Sequence, residues 1–169
     1  MQAQIKIFLT IFVLICSTSL VAKMSEEYLV GKISEHNHRY QTFKTALDLM
    51  QKRGVKIIVE TGTSRDGLKN FEGDGGSSII FSQYATDHDA QFFSVDMDQS
   101  ALNNASIAVQ EVLGKLDSKL HFIKSDSIVF LKNFPVAIDF LYLDSYDYDV
   151  NNPNASQNHH LLEIKAAYP

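Results

Sequence analysis

The chain has 169 residues, 45% of them hydrophobic and 21% charged, enough for one domain with a real core and hardly for two. Its formal net charge of -5, with lysines and arginines scattered rather than striped, argues against nucleic acid as the main partner. A single cysteine, Cys16, excludes a disulfide framework and a cysteine-based metal centre.

Residues 1–22 have the layout of a secretory signal peptide. Lys6 precedes an apolar run from Ile7 to Cys16, and small residues follow at Ser17 and Ser19, with cleavage expected near Ser17–Ser19 or Ala22. The run is shorter than the about 20 apolar residues a membrane span needs. An uncleaved anchor is the second reading, and residues 7–22 are then the only expected membrane contact. A lipoprotein signal would use Cys16, but bulky Ile15 stands where a small residue is required. The expected location is outside the cytoplasm or anchored to the membrane, and cytoplasmic if the segment is not a signal.

From Ser25 to Arg53 the sequence predicts one helix, with Tyr40, Phe43, Leu47 and Met50 on one face and Gly54 as its stop. Val55–Glu60 is a short β-branched run of the kind found in buried strands. Ser77–Ala85 reads as helix, with Ser77 or Ser78 as N-cap. Gln91–Asp96 is a second strand, and Ser100–Leu116 is the clearest helix, striped by Leu102, Ala105, Val109, Val112, Leu113 and Leu116. A third strand (Lys119–Lys124), a short helix (Ser127–Phe134), a fourth strand (Ile138–Leu143) and a last helix (Ser156–Ala167) complete the pattern. Alternating strands and helices predict a parallel sheet covered on both faces. Residues 23–54 would then be a helical extension, and residues 55–169 the α/β domain.

Ligands of such sheets bind beyond the carboxyl ends of the strands. Strand one is followed by Glu60-Thr61-Gly62-Thr63 and then by Gly67, Gly73, Gly75 and Gly76. Glycines allow positive φ and close backbone approach to a ligand. A triphosphate loop of the form GxxxxGK[ST] fails here, because Leu68 occupies the lysine position. A dinucleotide loop, GxGxxG, fails at Ser64. Strand two ends in Asp96, which either accepts from ribose hydroxyls or serves as an acid at a helix start, with Asp98 or Ser100 as the cap. Strand three is followed by Asp126, which either accepts from an adenine amino group or caps the next helix. Strand four is followed by Asp144, and further along by Asp147 and Asp149. Acids after all four strands suit a ligand with a cation and several hydroxyl and amino donors.

In this order, ETGTSRDG, GDGGSS, SVDMD, SDS and LYLDSYDYD resemble a class I S-adenosylmethionine-dependent methyltransferase of Rossmann-like fold. The resemblance covers residues 55–169, and is to the subgroup whose glycine motif is split by an insertion and followed by D-G-x-S; QNHHLLEI adds to it. It implies a three-layer sandwich with strand order 3-2-1-4. Glu60 (indirectly), Gly62 and Thr63 would hold the methionine part, and Asp74, Gly75 and Ser77 would close the loop around it. Asp96 would bind the ribose, Asp126 and Ser127 would flank the adenine, and Asp144 would face the methyl group.

A hydroxyl acceptor needs a base or a metal to take its proton. Asp144 and His159 are the catalytic candidates. A divalent metal is not the favoured reading; if one binds, Asp144, Asp147 and His160 are its expected ligands, and otherwise the loop is a solvated acidic surface. The family sheet has seven strands, so the resemblance implies a truncated domain lacking strands five to seven. The donor is a cytosolic metabolite, at odds with an export signal. The leading expectation is methyl transfer to an acceptor that the sequence does not identify, with a mild preference for a small-molecule hydroxyl. The alternatives are a non-catalytic, truncated or exported relative, or a protein binding NAD or a nucleotide sugar.

Overall fold

The computed structural model describes residues 23–74 and 76–168. The expected signal segment and Gly75 therefore lie outside the described residues. No helix among those described is long and apolar enough to cross a membrane.

The long N-terminal helix expected from Ser25 is in fact two pieces. A 3-10 turn, Ser25–Tyr28, is followed by turns, and α1 begins only at His38 and runs to Arg53. Gly31 takes φ 73°, which ends helical geometry, and the Asn37 side chain accepts from the Arg39 amide at 2.9 Å to cap a new start. The α1 stripe is as expected: Tyr40, Phe43, Leu47 and Met50 are buried, and Gly54 closes the helix at φ 63°. Tyr28, Leu29 and Ile33 join the same core as α1, so the extension packs as part of the domain.

Four strands follow, β1 (Ile57–Thr61), β2 (Gln91–Asp96), β3 (Leu120–Lys124) and β4 (Phe140–Leu143), all parallel in the order β3-β2-β1-β4. This is the Rossmann-like α/β sheet that the alternation and the resemblance anticipate. The helices between them are α2 (Phe71–Asp74), α3 (Ser77–Asp87), α4 (Gln99–Leu113), α5 (Ser127–Asn133) and, after β4, α6 (Pro153–Ala167). Helix α2 is a single turn inside the glycine loop that periodicity does not reveal. Helix α4 stops three residues earlier than expected, because Gly114 adopts φ 76° at its C-cap.

Aromatic contacts fix helices to one face of the sheet. Phe81 of α3 meets Phe140 and Tyr142 of β4, each at 5.3 Å between ring centroids, and Phe43 of α1 meets Tyr142 at 5.9 Å. Fully burying such a side chain contributes roughly 1.5–3 kcal/mol, so these rings largely set where α1 and α3 sit. Helix α6 packs on α5 with an unusual inner face. Its buried side chains are Ser156 and Glu163, while Leu161 and Leu162 are exposed.

Candidate functional site

Beyond the carboxyl ends of β1, β2 and β4 lies a two-lobed cleft whose lobes share Gly62, Asp96 and Ser145. Both neighbours of β1 are stitched to it there. The Gly62 amide donates to the Val95 carbonyl at 2.8 Å, and the Asp144 amide to the Thr61 carbonyl at 2.8 Å. Gly62 has φ 81°, and a Cβ on it would lie 2.2 Å from the Asp144 carbonyl oxygen. Only glycine lets the β1 and β4 loops meet this closely.

The first lobe, of about 180 Å³, is lined by Thr63, Arg65, Asp74, Asp98, Asp144 and Asp147 besides the shared residues. Asp96 is doubly engaged at its base. Its Oδ2 accepts from the Thr63 amide at 3.0 Å, and its Oδ1 from the Asp98 amide at 2.8 Å. Each carboxylate oxygen has two lone pairs, so acceptor capacity remains toward the cleft. Asp98 caps α4 by accepting from the Ser100 amide at 2.8 Å, one of the two expected caps. Arg65 spans the mouth in a two-pronged pair with Asp147 at 3.0 and 3.2 Å. Asp144 keeps access to solvent. Desolvation in the cleft, opposed by Arg39 and reinforced by Asp147 and Asp74, pushes its carboxyl up to about 6. Burial also raises Asp74, whose Oδ2 has no hydrogen-bond partner.

The second lobe, of about 210 Å³, adds Val95, Met97, Ser125, Asp126, Ser127, Tyr146 and His159. Asp126 caps α5, its Oδ1 accepting from the Val129 amide at 2.9 Å, and it also lines this lobe. Of the two readings the sequence leaves open for Asp126, capping is therefore realised. Ser127 Oγ lies 3.2 Å from His159 Nε2, and the His159 ring packs near Tyr146 at 5.3 Å.

Glu60, expected to act indirectly, and Ser77, expected to close the loop, both stand behind the cleft. Glu60 is fully buried, and its carboxylate accepts from the hydroxyls of Ser77, Ser78 (2.6 Å) and Ser94 (2.7 Å). Ser77 is thus turned toward Glu60 and does not line the cleft. Thr63 joins this layer through Ser78 Oγ at 3.0 Å and Ser94 Oγ at 2.9 Å. The network also explains why neither Ser77 nor Ser78 is the α3 N-cap. Gly76 holds that position at φ 59°, and Ser64 reaches across to accept from the Ser78 amide at 3.2 Å.

Burial pushes Glu60 up to about 7 despite its three hydroxyl donors. A carboxyl raised in the folded state stabilises the fold fully below its unfolded value near 4.5, and that contribution is lost as pH rises through about 7. Relative to Glu60→Gln, the wild type is expected to lose on the order of 3 kcal/mol of stability between pH 4 and pH 8. Urea titrations of both proteins at the two pH values check this. An unchanged difference would mean that Glu60 titrates at the same pH in the folded and unfolded chain.

The structure does not assemble Asp144, Asp147 and His160 as a metal-ligand set. Among the described residues, no group of three His, Cys, Asp or Glu side chains is placed to hold a metal ion. Asp147 is committed to Arg65, and His160 has a buried Nε2 without a partner. Sequence reasoning missed Arg65, Ser145, Tyr146 and Glu163. Ser145 and Tyr146 stand inside the quoted strand-four motif, and Glu163 follows His159 by one helical turn, so position alone could have nominated these three.

The fold and cleft together define a parallel-sheet α/β domain with an acid-lined cleft at its strand ends. Comparisons with protein-family models, with curated proteins and with solved structures each found no match to this chain.

Proposed function

We propose that this domain binds S-adenosylmethionine and transfers its methyl group to a small molecule. The observation that carries the reading is the charge of the first lobe. Asp74, Asp96, Asp98, Asp144 and Asp147 line it, against Arg65 as the cation among its lining residues. A pyrophosphate would bring two further negative charges into those carboxylates, which disfavours NAD and nucleotide sugars. A sulfonium amino acid brings an ammonium and a sulfonium against one carboxylate, a net positive charge that such a lobe attracts.

In this reading Asp96 takes the ribose hydroxyls with its remaining lone pairs. The second lobe, with Met97 and Tyr146 as apolar walls and Ser125, Asp126 and Ser127 as polar groups, takes the adenine. The donor's methyl group is already activated, so the chain's own task is to align an acceptor and exclude water. Asp144, its carboxyl raised to about 6 and so a stronger base that is still ionised near neutral pH, would receive a proton from an acceptor hydroxyl.

Calorimetric titration with S-adenosylmethionine, S-adenosylhomocysteine and NAD tests the reading. Saturable heat is expected from the first two and none from NAD. Folded protein that gives no heat with either sulfur nucleoside overturns it. A methyl-transfer assay over small hydroxyl acceptors then separates a working transferase from a binding protein without turnover.

A further inference from the structure

We propose that Glu163 is a positioning residue, which orients His159 and Ser145 at the wall of the second lobe and so sets how tightly the nucleoside end is held. The consequence for affinity rests on the cofactor reading above; the orienting role does not.

Glu163 is fully buried, on a helix whose leucines face solvent. A carboxylate placed in an inner face costs desolvation energy that an apolar side chain would not, so packing alone does not account for it. Its Oε1 accepts from Ser145 Oγ at 2.6 Å and lies 3.5 Å from His159 Nε2. Its Oε2 is buried and has no partner. Ser145 and His159 both line the second lobe, whereas Glu163 does not. The carboxylate therefore acts on the lobe through these two side chains.

The chemistry of the contact selects one tautomer. A carboxylate oxygen accepts hydrogen bonds, so a proton on His159 Nε2 is the arrangement that suits Glu163 Oε1 at 3.5 Å. That places N–H on Nε2, pointing between Glu163 Oε1 and Ser127 Oγ, and leaves Nδ1 as the acceptor of a neutral ring. Helix α6, helix α5 and the β4 loop are thereby tied together around one imidazole, with Tyr146 packed on its ring. The spacing of His159 and Glu163, one helical turn apart, puts both on the same face.

Glu163→Gln and Glu163→Leu in the full chain test this. Glutamine keeps an oxygen for Ser145 but removes the charge opposite His159; leucine removes both. The first readout, without ligand, is the ¹⁵N spectrum of the imidazoles at a pH where His159 is neutral. The wild type is expected to hold His159 as the Nε2–H tautomer, and the leucine variant to show a mixture. The second readout is affinity for S-adenosylhomocysteine and for methylthioadenosine, measured well below the melting temperature. Losses of about threefold for glutamine and about tenfold for leucine are expected, equal for the two ligands because both carry the nucleoside. Affinity is compared at temperatures where each variant is fully folded; lower affinity in a fully folded variant is what a purely structural role does not produce. Unchanged tautomer populations in both variants overturn the orienting role. Unchanged affinities, in a protein whose wild type binds, overturn its consequence for the cleft. If the wild type binds neither nucleoside, the cofactor reading and the affinity claim fall together, and the tautomer readout alone decides the orienting role.

Discussion

Gly62→Ala is expected to lower stability by about 4 kcal/mol and to abolish binding at the cleft. The added Cβ would lie 2.2 Å from the Asp144 carbonyl oxygen, 2.5 Å from its carbon and 2.9 Å from the Ser145 amide nitrogen. All three are backbone atoms, so no side chain can swing aside. The β1 and β4 loops would have to separate, and the Asp144–Thr61 and Gly62–Val95 hydrogen bonds lie in the path of that movement. The φ of 81° adds strain of its own, about 1–2 kcal/mol for a side-chain-bearing residue. Thermal melting checks this, with a fall of about 10 °C expected. Gly67→Ala is the control. Gly67 also has positive φ, but its nearest neighbours lie at 3.6 Å, so only the strain term of about 1–2 kcal/mol applies. Equal effects at the two glycines would remove the close-approach argument.

Asp96→Ala carries the second large effect, this time on binding. Its carboxylate holds the glycine loop through the Thr63 amide and turns its own strand end through the Asp98 amide. In the proposed complex its free lone pairs also accept from the ribose. A hydrogen bond to a charged group contributes about 1.5–3 kcal/mol, so losing the ribose contacts should weaken S-adenosylhomocysteine about 100-fold. Stability should fall by about 1–2 kcal/mol, because two amides lose an acceptor. Asp96→Asn, which keeps one oxygen, should fall between wild type and alanine. Calorimetry on the three proteins decides the matter, and equal affinities would remove the ribose role.

Several elements were legible in the chain for plain reasons. Strands β1 to β4 are parallel strands, largely buried in β1 and β2 and half-buried in β3 and β4, so each reads as a short apolar run, and β2 is bounded to the residue. Helix α4 repeats its apolar stripe, and Asp98 stands where a cap belongs. Helix boundaries failed where a backbone conformation intervened. Gly31 and Asn37 break the N-terminal segment, and a stripe begun later in it cannot show that. Helix α2 is too short to have a period at all.

The candidate site was legible only as a set of acids after strands. Which of them face the cleft depends on sheet register, because side chains alternate between faces and a strand end has no periodicity of its own. Glu60 is opposite Ser94 on β2, and that pairing turns it inward beneath the α3 start. Asp144 comes after β4 and stays at the cleft. Nothing in ETGT or LDSY distinguishes those two fates.

The sequence by itself determined the alternation of strands and helices, the glycine-rich first loop with neither a lysine nor a dinucleotide spacing, and the acids at the strand ends. Each is a local property, set by apolar periodicity or by residue type at a turn. The tertiary structure alone decided the rest. It placed Gly62 against Asp144, Ser64 over the α3 start, Arg65 across the mouth to Asp147, and Glu163 behind Ser145 and His159. Apart from Glu163 and His159, one helical turn apart, these contacts join residues well separated in the chain, and packing of α3 and α5 on the sheet and of α6 on α5 brings them together.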